Sequence, residues 1–191
     1  MNILIITAHP SSHGFTHKIA EHYKKGAEKA KHEVEVLDLY KTKLKQGFLD
    51  FENIREMDPP PHLKAIQEKI AWANQLVFIF PLWWFNYPAI LKNFLDQNLT
   101  PGFAYKFRKT PRGRKTLDRL LKGKTARVFV TCDSPSWFFH LIMTPKISLR
   151  WGTLFFCGIW TKSWTFFGNM RKTGKEKRKK WLAKVERMGE G

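Results

Sequence analysis

The chain has 191 residues, 43% of them hydrophobic and 26% charged, with a formal net charge of +18 from 34 basic and 16 acidic side chains. That length and apolar fraction suit one compact domain able to bury roughly 70% of its unfolded surface, and they exclude collagen-like, disordered and disulfide-scaffold classes. Two cysteines, Cys132 and Cys157, with no CxxC and no Cys/His cluster at metal spacing, point to a reducing compartment and to no metal ligand set.

Asn2–Thr7 (NILIIT) reads as a strand buried on both faces. Phe15, Ile19, Tyr23, Ala27 and Ala30 recur at helical spacing, and Glu33–Asp38 (EVEVLD) alternates as a second strand. A long charged connection over 39–61 closes in Pro59, Pro60 and Pro61. A helix over 62–74, a third buried strand over 76–80 (LVFIF) and a helix over 88–97 follow, the last with Ile90, Leu91, Phe94 and Leu95 on one face. A fourth strand is expected over 126–131, a helix interrupted near Pro145 over 136–151, a weaker fifth strand over 155–160 and a terminal helix over 175–188. Strands alternating with helices imply right-handed βαβ units. The expected fold is α/β: a three-layer sandwich around a five-stranded parallel sheet, order 2-1-3-4-5, as a single domain over 1–191. No apolar run approaches the ~20 residues of a membrane span, and the N-terminus lacks signal-peptide features, so the expected location is cytoplasmic.

In an open parallel sheet a ligand sits beyond the carboxyl ends of the strands where strand order reverses, here between the first and third strands. The loops after Thr7, Phe80 and Thr131 therefore carry the functional argument. The first, 8–16 (AHPSSHGFT), is rich in hydroxyls and leads into a helix N-terminus, whose free N–H groups and dipole suit a phosphate. It lacks GxGxxG and GxxxxGK[ST], and Ser12 or Thr16 capping the helix accounts for the same residues. The second, 81–88 (PLWWFNYP), places Trp83, Trp84, Phe85 and Tyr87 at a strand end. These aromatics either pack a core or dimer interface or form an apolar wall for a flat conjugated ring, with backbone amides at its polar edge. The third, 131–137 (TCDSPSW), reads by itself as a strand-to-helix turn capped by Ser134 or Ser136.

Taken together the strings are specific. PLWWFNYPAILKNFLDQ resembles the PLxWFxxPAxLKxxxD segment of the NAD(P)H:quinone oxidoreductase family, flavoproteins of flavodoxin-like fold; AHPSSHGFT is similar to that family's phosphate loop, and PGFAY at 101–105 to its GFAY element. The resemblance covers about the first two-thirds of the chain, in family order. It implies a hydride relay in which NAD(P)H reduces a bound FAD or FMN and a quinone then takes the hydride in the same pocket. His9, Ser11, Gly14, Phe15 and Thr16 would surround the flavin phosphates; Pro81, Leu82, Trp83, Trp84 and Phe85 would line the ring; Thr131, Asp133 and Ser134 would lie near its opposite polar edge. No acid–base dyad is required, because the flavin carries the chemistry.

The third loop departs from the family's TTGG: it reads TCDS, with Trp137 near the place of a tyrosine and His140 as a candidate relay on the following helix. Asp133 turned inward would disfavour an anionic reduced flavin; Asp133 capping the next helix would have no electronic role. Nearly all the net charge is local. Residues 106–124 carry nine basic side chains against Asp118, and 171–187 carry nine against Glu176 and Glu186. The first segment reads as a solvated loop, or as a positive field steering NADPH; no RRM, OB or helix-turn-helix signature accompanies it, so no nucleic-acid partner is expected. The second reads as an amphipathic helix, with peripheral contact to an anionic membrane as the alternative. The resemblance further implies a homodimer and, as the other functional class, an ancillary flavin-binding subunit of a membrane potassium-efflux system.

Overall fold

Successive residues of the first strand serve opposite layers of the molecule. The computed structural model describes residues 1–44, 47–48, 61–135, 137–138 and 144–191. In β1 (Asn2–Thr7), Ile3 and Ile5 enter one hydrophobic layer and Leu4 and Ile6 the other, so the strand is buried on both faces. The same alternation runs through β3 (Gln75–Pro81), buried at every position, and β6 (Thr125–Thr131). With β2 (Glu33–Asp38) and β7 (Trp160–Phe167) these strands form one parallel sheet, in spatial order β2-β1-β3-β6-β7. Helices α1 (Phe15–Lys29) and α5 (Lys175–Glu190) cover the Ile3 face. On the other face lie α2 (Pro61–Trp72), α3 (Ala89–Asn98) and α4, in which the turn Thr144–Lys146 runs into the π-helical Ile147–Phe155. The expected three-layer architecture and strand order are those observed, once two further strands are set aside.

Those strands are β4 (Tyr105–Lys109) and β5 (Lys115–Arg119), an antiparallel hairpin outside the main sheet. They correct the reading of 106–124 as a loop. Thr110 and Arg114 close the turn through a 2.8 Å backbone hydrogen bond. Tyr105 packs edge-on against Phe156, centroids 5.0 Å apart, while the Arg119 guanidinium lies 4.1 Å from the Phe155 ring centroid. These contacts tie the basic hairpin to the end of α4.

The fifth strand also stands elsewhere than expected. Residues 155–160 end the π-helical segment and turn at Gly158, where φ is +97° and a side chain would meet Arg119 and Lys122 at about 3.0 Å. The strand starts only at Trp160. As an edge strand it is half-exposed, and Lys162 and Ser163 interrupt its apolar run, which is why hydropathy alone favours the segment before it. Part of the helix expected over 136–151 lies outside the described residues. At the far end of the sheet, Lys124 Nζ donates to the carbonyls of Ala71 (2.7 Å) and Ala73 (2.6 Å), closing the C-terminus of α2. Among the described residues no helix is long and apolar enough to cross a membrane, and no group of His, Cys, Asp or Glu is arranged to hold a metal.

Candidate functional site

Because β1, β3, β6 and β7 are parallel, their carboxyl ends share one edge, and the loops that leave them meet there. Backbone hydrogen bonds extend the sheet into these loops: Ala8 to Ile79 (3.0 Å), Leu82 to Thr131 (2.8 Å), Cys132 to Phe167 (2.9 Å) and Met170 to Cys132 (3.1 Å). They enclose a cleft of about 340 Å³ lined by His9, Phe15, Thr16, Pro81, Leu82, Trp83, Thr131, Cys132, Asp133, Met170, Arg171 and Arg178. It lies at the topological switch point of the sheet.

On the β1 side the loop is shaped by one histidine. His9 Nδ1 lies within hydrogen-bond reach of both the amide (3.0 Å) and the carbonyl (3.1 Å) of Ser11, so the loop folds back on the ring. The ring sits 6.4 Å from Trp83 and 6.3 Å from His17. Gly14 is needed for close approach, not for a special backbone angle: any side chain there would lie 3.1–3.2 Å from the His9 ring. Ser11 and Gly14 thus stand behind His9 and do not line the cleft. Thr16, fully buried in the first turn of α1, does.

The β3 loop makes a two-residue turn, with reciprocal 2.9 Å hydrogen bonds between Trp83 and Asn86. Both central residues have positive φ, +47° at Trp84 and +59° at Phe85, values that such turns ordinarily reserve for Asn and Gly. Each strained residue costs about 1–3 kcal/mol. The turn is held by Tyr87, whose amide donates to Asn86 Oδ1 (2.9 Å) and whose buried ring hydrogen-bonds through its hydroxyl with Ser148 Oγ (3.0 Å). The four aromatics therefore divide: Tyr87 belongs to the core, Trp83 forms the cleft wall beside Pro81 and Leu82, and Trp84 (97% exposed) and Phe85 project beyond it. The Phe85 ring packs 6.1 Å from Phe138.

On the β6 side, Asp133 is paired across to the β7 loop. Its Oδ2 forms an ion pair with Arg171 Nε at 3.0 Å, and its Oδ1 accepts from the Arg171 amide at 3.3 Å. The Ser134 carbonyl accepts from the Asn169 amide at 3.1 Å, tying the same two loops together behind the lining. Burial, with a smaller contribution from Asp133, pushes the Cys132 thiol up to about 11, so it is a neutral packing group. Trp137 is exposed on a helical turn outside the cleft, and His140 lies outside the described residues.

Met170, Arg171 and Arg178 escaped the sequence reading. All three follow β7, whose end the expected strand at 155–160 misplaced by seven residues. Arg178, in the first turn of α5, donates to the Met170 carbonyl and lies 5.9 Å from the centroid of Phe15. Its Nε is buried with no partner among the described residues. A buried cationic donor left unsatisfied is costly, and here it borders a cleft. The cleft thus combines an apolar wall (Pro81, Leu82, Trp83, Met170) with hydroxyl, imidazole and guanidinium donors, a set that fits a flat conjugated ring carrying an anionic tail.

The chain has clear relatives. The chain is 34% identical over 138 residues to an uncharacterized NAD(P)H oxidoreductase of Haemophilus influenzae, covering 70% of this chain and 65% of that one. It is 34% identical over 125 residues to ribosyldihydronicotinamide dehydrogenase (quinone) of Mus musculus, covering 61% and 51%. Among solved structures, the NAD(P)H:quinone oxidoreductase of Methanothermobacter marburgensis matches with a TM-score of 0.83 at 27% identity, over 100% of this chain and 96% of that one. Smu.1420 of Streptococcus mutans matches with a TM-score of 0.85 at 29% identity, over 100% and 99%. The chain spans about half to two-thirds of the length of the curated relatives it matches. A family model described as flavodoxin-like fold matches residues 1–189. With that match along nearly its whole length and its parallel strands in the order 2-1-3-4-5, the chain belongs to the flavodoxin-like fold family.

Proposed function

We propose that the protein is a flavin-dependent NAD(P)H oxidoreductase that reduces quinones or related electrophilic aromatics. The observation that carries this reading is the meeting, in one cleft at the switch point, of the Trp83 wall and Arg178, whose Nε is buried with no partner among the described residues. A bound FAD or FMN would supply the hydride-transfer chemistry, taking a hydride from NAD(P)H and yielding it to the acceptor. The protein's part is placement. Pro81, Leu82 and Trp83 would offer an apolar wall for the ring and keep water from it. Thr16, His9 and Arg178 would offer donors to phosphate oxygens. The β3 turn, fixed through Tyr87, holds Trp84 and Phe85 at the mouth, where an aromatic acceptor enters. The names of the relatives, NAD(P)H oxidoreductase and quinone dehydrogenase among them, support this reaction class.

Two-fold association belongs to the same proposal. Trp84, Trp137 and Phe107 are 97%, 63% and 59% exposed, aromatic surface of the kind that a second subunit would cover. Light scattering on the purified protein tests it.

The reaction is tested by anaerobic addition of NADPH or NADH to protein loaded with FAD or FMN. Rapid bleaching of the flavin absorbance, restored by a quinone, supports the reading. A protein that retains neither flavin and oxidises neither nucleotide refutes it.

A further inference from the structure

Asp133 and Arg171 line the cleft from two adjacent loops, and Asp133 stands in the one loop where the chain leaves its family's pattern. The pair is made by two contacts, Arg171 Nε and the Arg171 amide on the two carboxylate oxygens at 3.0 and 3.3 Å. Packing does not hold the arginine, whose side chain is 88% exposed; the carboxylate does. An exposed pair of this kind adds little to stability, so its consequence lies in the charge it places at the cleft. Among the described lining residues there are two guanidiniums, Arg171 and Arg178, and a single carboxylate, Asp133. Arg178 has its own fixed seat on the Met170 carbonyl and no acidic partner among the described residues. Asp133 therefore cancels the field of Arg171 and leaves the cleft with the charge of one arginine.

Resting on the flavin reading above, we propose that the Asp133–Arg171 pair sets the affinity of the cleft for phosphate-bearing ligands: Asp133 masks the guanidinium of Arg171, and the balance between the two determines how strongly a flavin phosphate is favoured over the same ring without one. Each residue then acts through charge, with opposite sign. Removing the carboxylate unmasks a cation; removing the guanidinium leaves an anion. Removing both restores the original net charge.

The test is a set of fluorescence titrations with FMN, FAD and riboflavin, the last lacking phosphate, on the wild type, Asp133→Asn, Arg171→Gln, Arg171→Lys and the double variant Asp133→Asn/Arg171→Gln. Salt is varied from about 10 mM to about 100 mM, over which the screening length falls from roughly 30 to roughly 10 Å. At low salt, Asp133→Asn should bind FMN about threefold to tenfold more tightly and Arg171→Gln weaken it by a similar factor, as expected for one charge partly exposed to water. The double variant and Arg171→Lys should stay near wild type, riboflavin should change little in any of them, and added salt should shrink both single-variant effects. Loss of FMN and riboflavin affinity together, in Asp133→Asn as in Arg171→Gln, would overturn the proposal and make the pair a mechanical clamp between loops. Unchanged affinities in both variants overturn it too. A wild type that binds none of the three flavins overturns the proposed function itself, a result distinct from these.

Discussion

An alanine at Gly26 would put a methyl group 1.9 Å from the Glu186 carbonyl oxygen and 2.8 Å from its carbon. The reciprocal position is as tight: a methyl at Gly189 would lie 2.4 Å from the Tyr23 carbonyl oxygen. Helices α1 and α5 thus cross backbone against backbone, and the obstacle is main chain that cannot swing aside. Restoring an ordinary contact of about 3.5 Å requires the helices to part by about 1.5 Å. Parting them loosens Leu182 and Val185 from the layer they share with Ile19 and Tyr23, and Trp181 from Phe15 and Phe167, whose centroids lie 6.1 and 5.2 Å away. Overpacking costs about 1–3 kcal/mol, and a rigid obstacle places Gly26→Ala at the upper end. Alanine regains about 1 kcal/mol of helix propensity. The net loss is about 2 kcal/mol, a fall of roughly 4–8 °C in Tm for a chain of this size. Gly152→Ala is the control. Its nearest neighbour is 3.8 Å away, so it should be neutral or slightly stabilised. Urea titrations followed by circular dichroism measure both variants. Because α5 carries Arg178 into the cleft, Gly26→Ala should also weaken flavin binding. A Gly26→Ala protein as stable as Gly152→Ala would show that the helices do not cross at this distance.

Trp84→Gly relieves a positive φ on a residue that is 97% exposed, so it should raise stability by up to about 1 kcal/mol while weakening flavin or acceptor binding; paired melting and titration curves check the trade. The hydrogen bond from Lys25, with that from His22, holds the Glu186 carboxyl below its ordinary 4.5. A depressed folded value contributes stability above the ordinary glutamate range and loses it as pH falls through the folded value, so the wild type should lose more stability than Glu186→Gln between about pH 6 and about pH 3. Burial pushes both thiols up to about 11, so alkylation at about pH 8 should be slow in the native protein and fast in denaturant. Rapid native labelling of Cys132 would mean that its loop opens away from β7.

The central strands were legible because burial on both faces leaves an unbroken apolar signature: NILIIT, LVFIF and the 126–131 run stand where sequence patterning places them. Their loops were legible for a topological reason, since parallel strands must deliver their carboxyl ends to one edge. His9, Phe15, Thr16, Pro81, Leu82, Trp83, Thr131 and Asp133 accordingly meet in one cleft. What patterning could not separate was wall from support. Ser11 and Gly14 shape His9 from behind, and Tyr87 anchors the turn from the core, yet in the sequence they are neighbours of lining residues with no mark of their own.

The larger omission has a single cause. An edge strand meets water on one face, so β7 carries Lys162 and Ser163 among its aromatics, whereas the preceding FFCGIW, the end of a π-helical segment and its turn, is more uniformly apolar. A strand at 155–160 has its carboxyl end away from the cleft and leaves the residues after Phe167 beyond the sheet edge. The basic stretch at 171–187 then looked like a solvated attachment. With β7 ending at Phe167, the same stretch begins inside the cleft: Arg171 meets Asp133, and Arg178 joins the lining. The TCDS departure changes meaning with it. Considered within its own loop, Asp133 offered a choice between perturbing a ring and capping a helix. Considered with the loop after β7, it is one half of a pair, and a carboxylate where the family pattern has glycine is accompanied by the cation that neutralises it. A substitution that looks incompatible with an anionic ligand in one segment is compatible once its partner, nearly forty residues on, is in place.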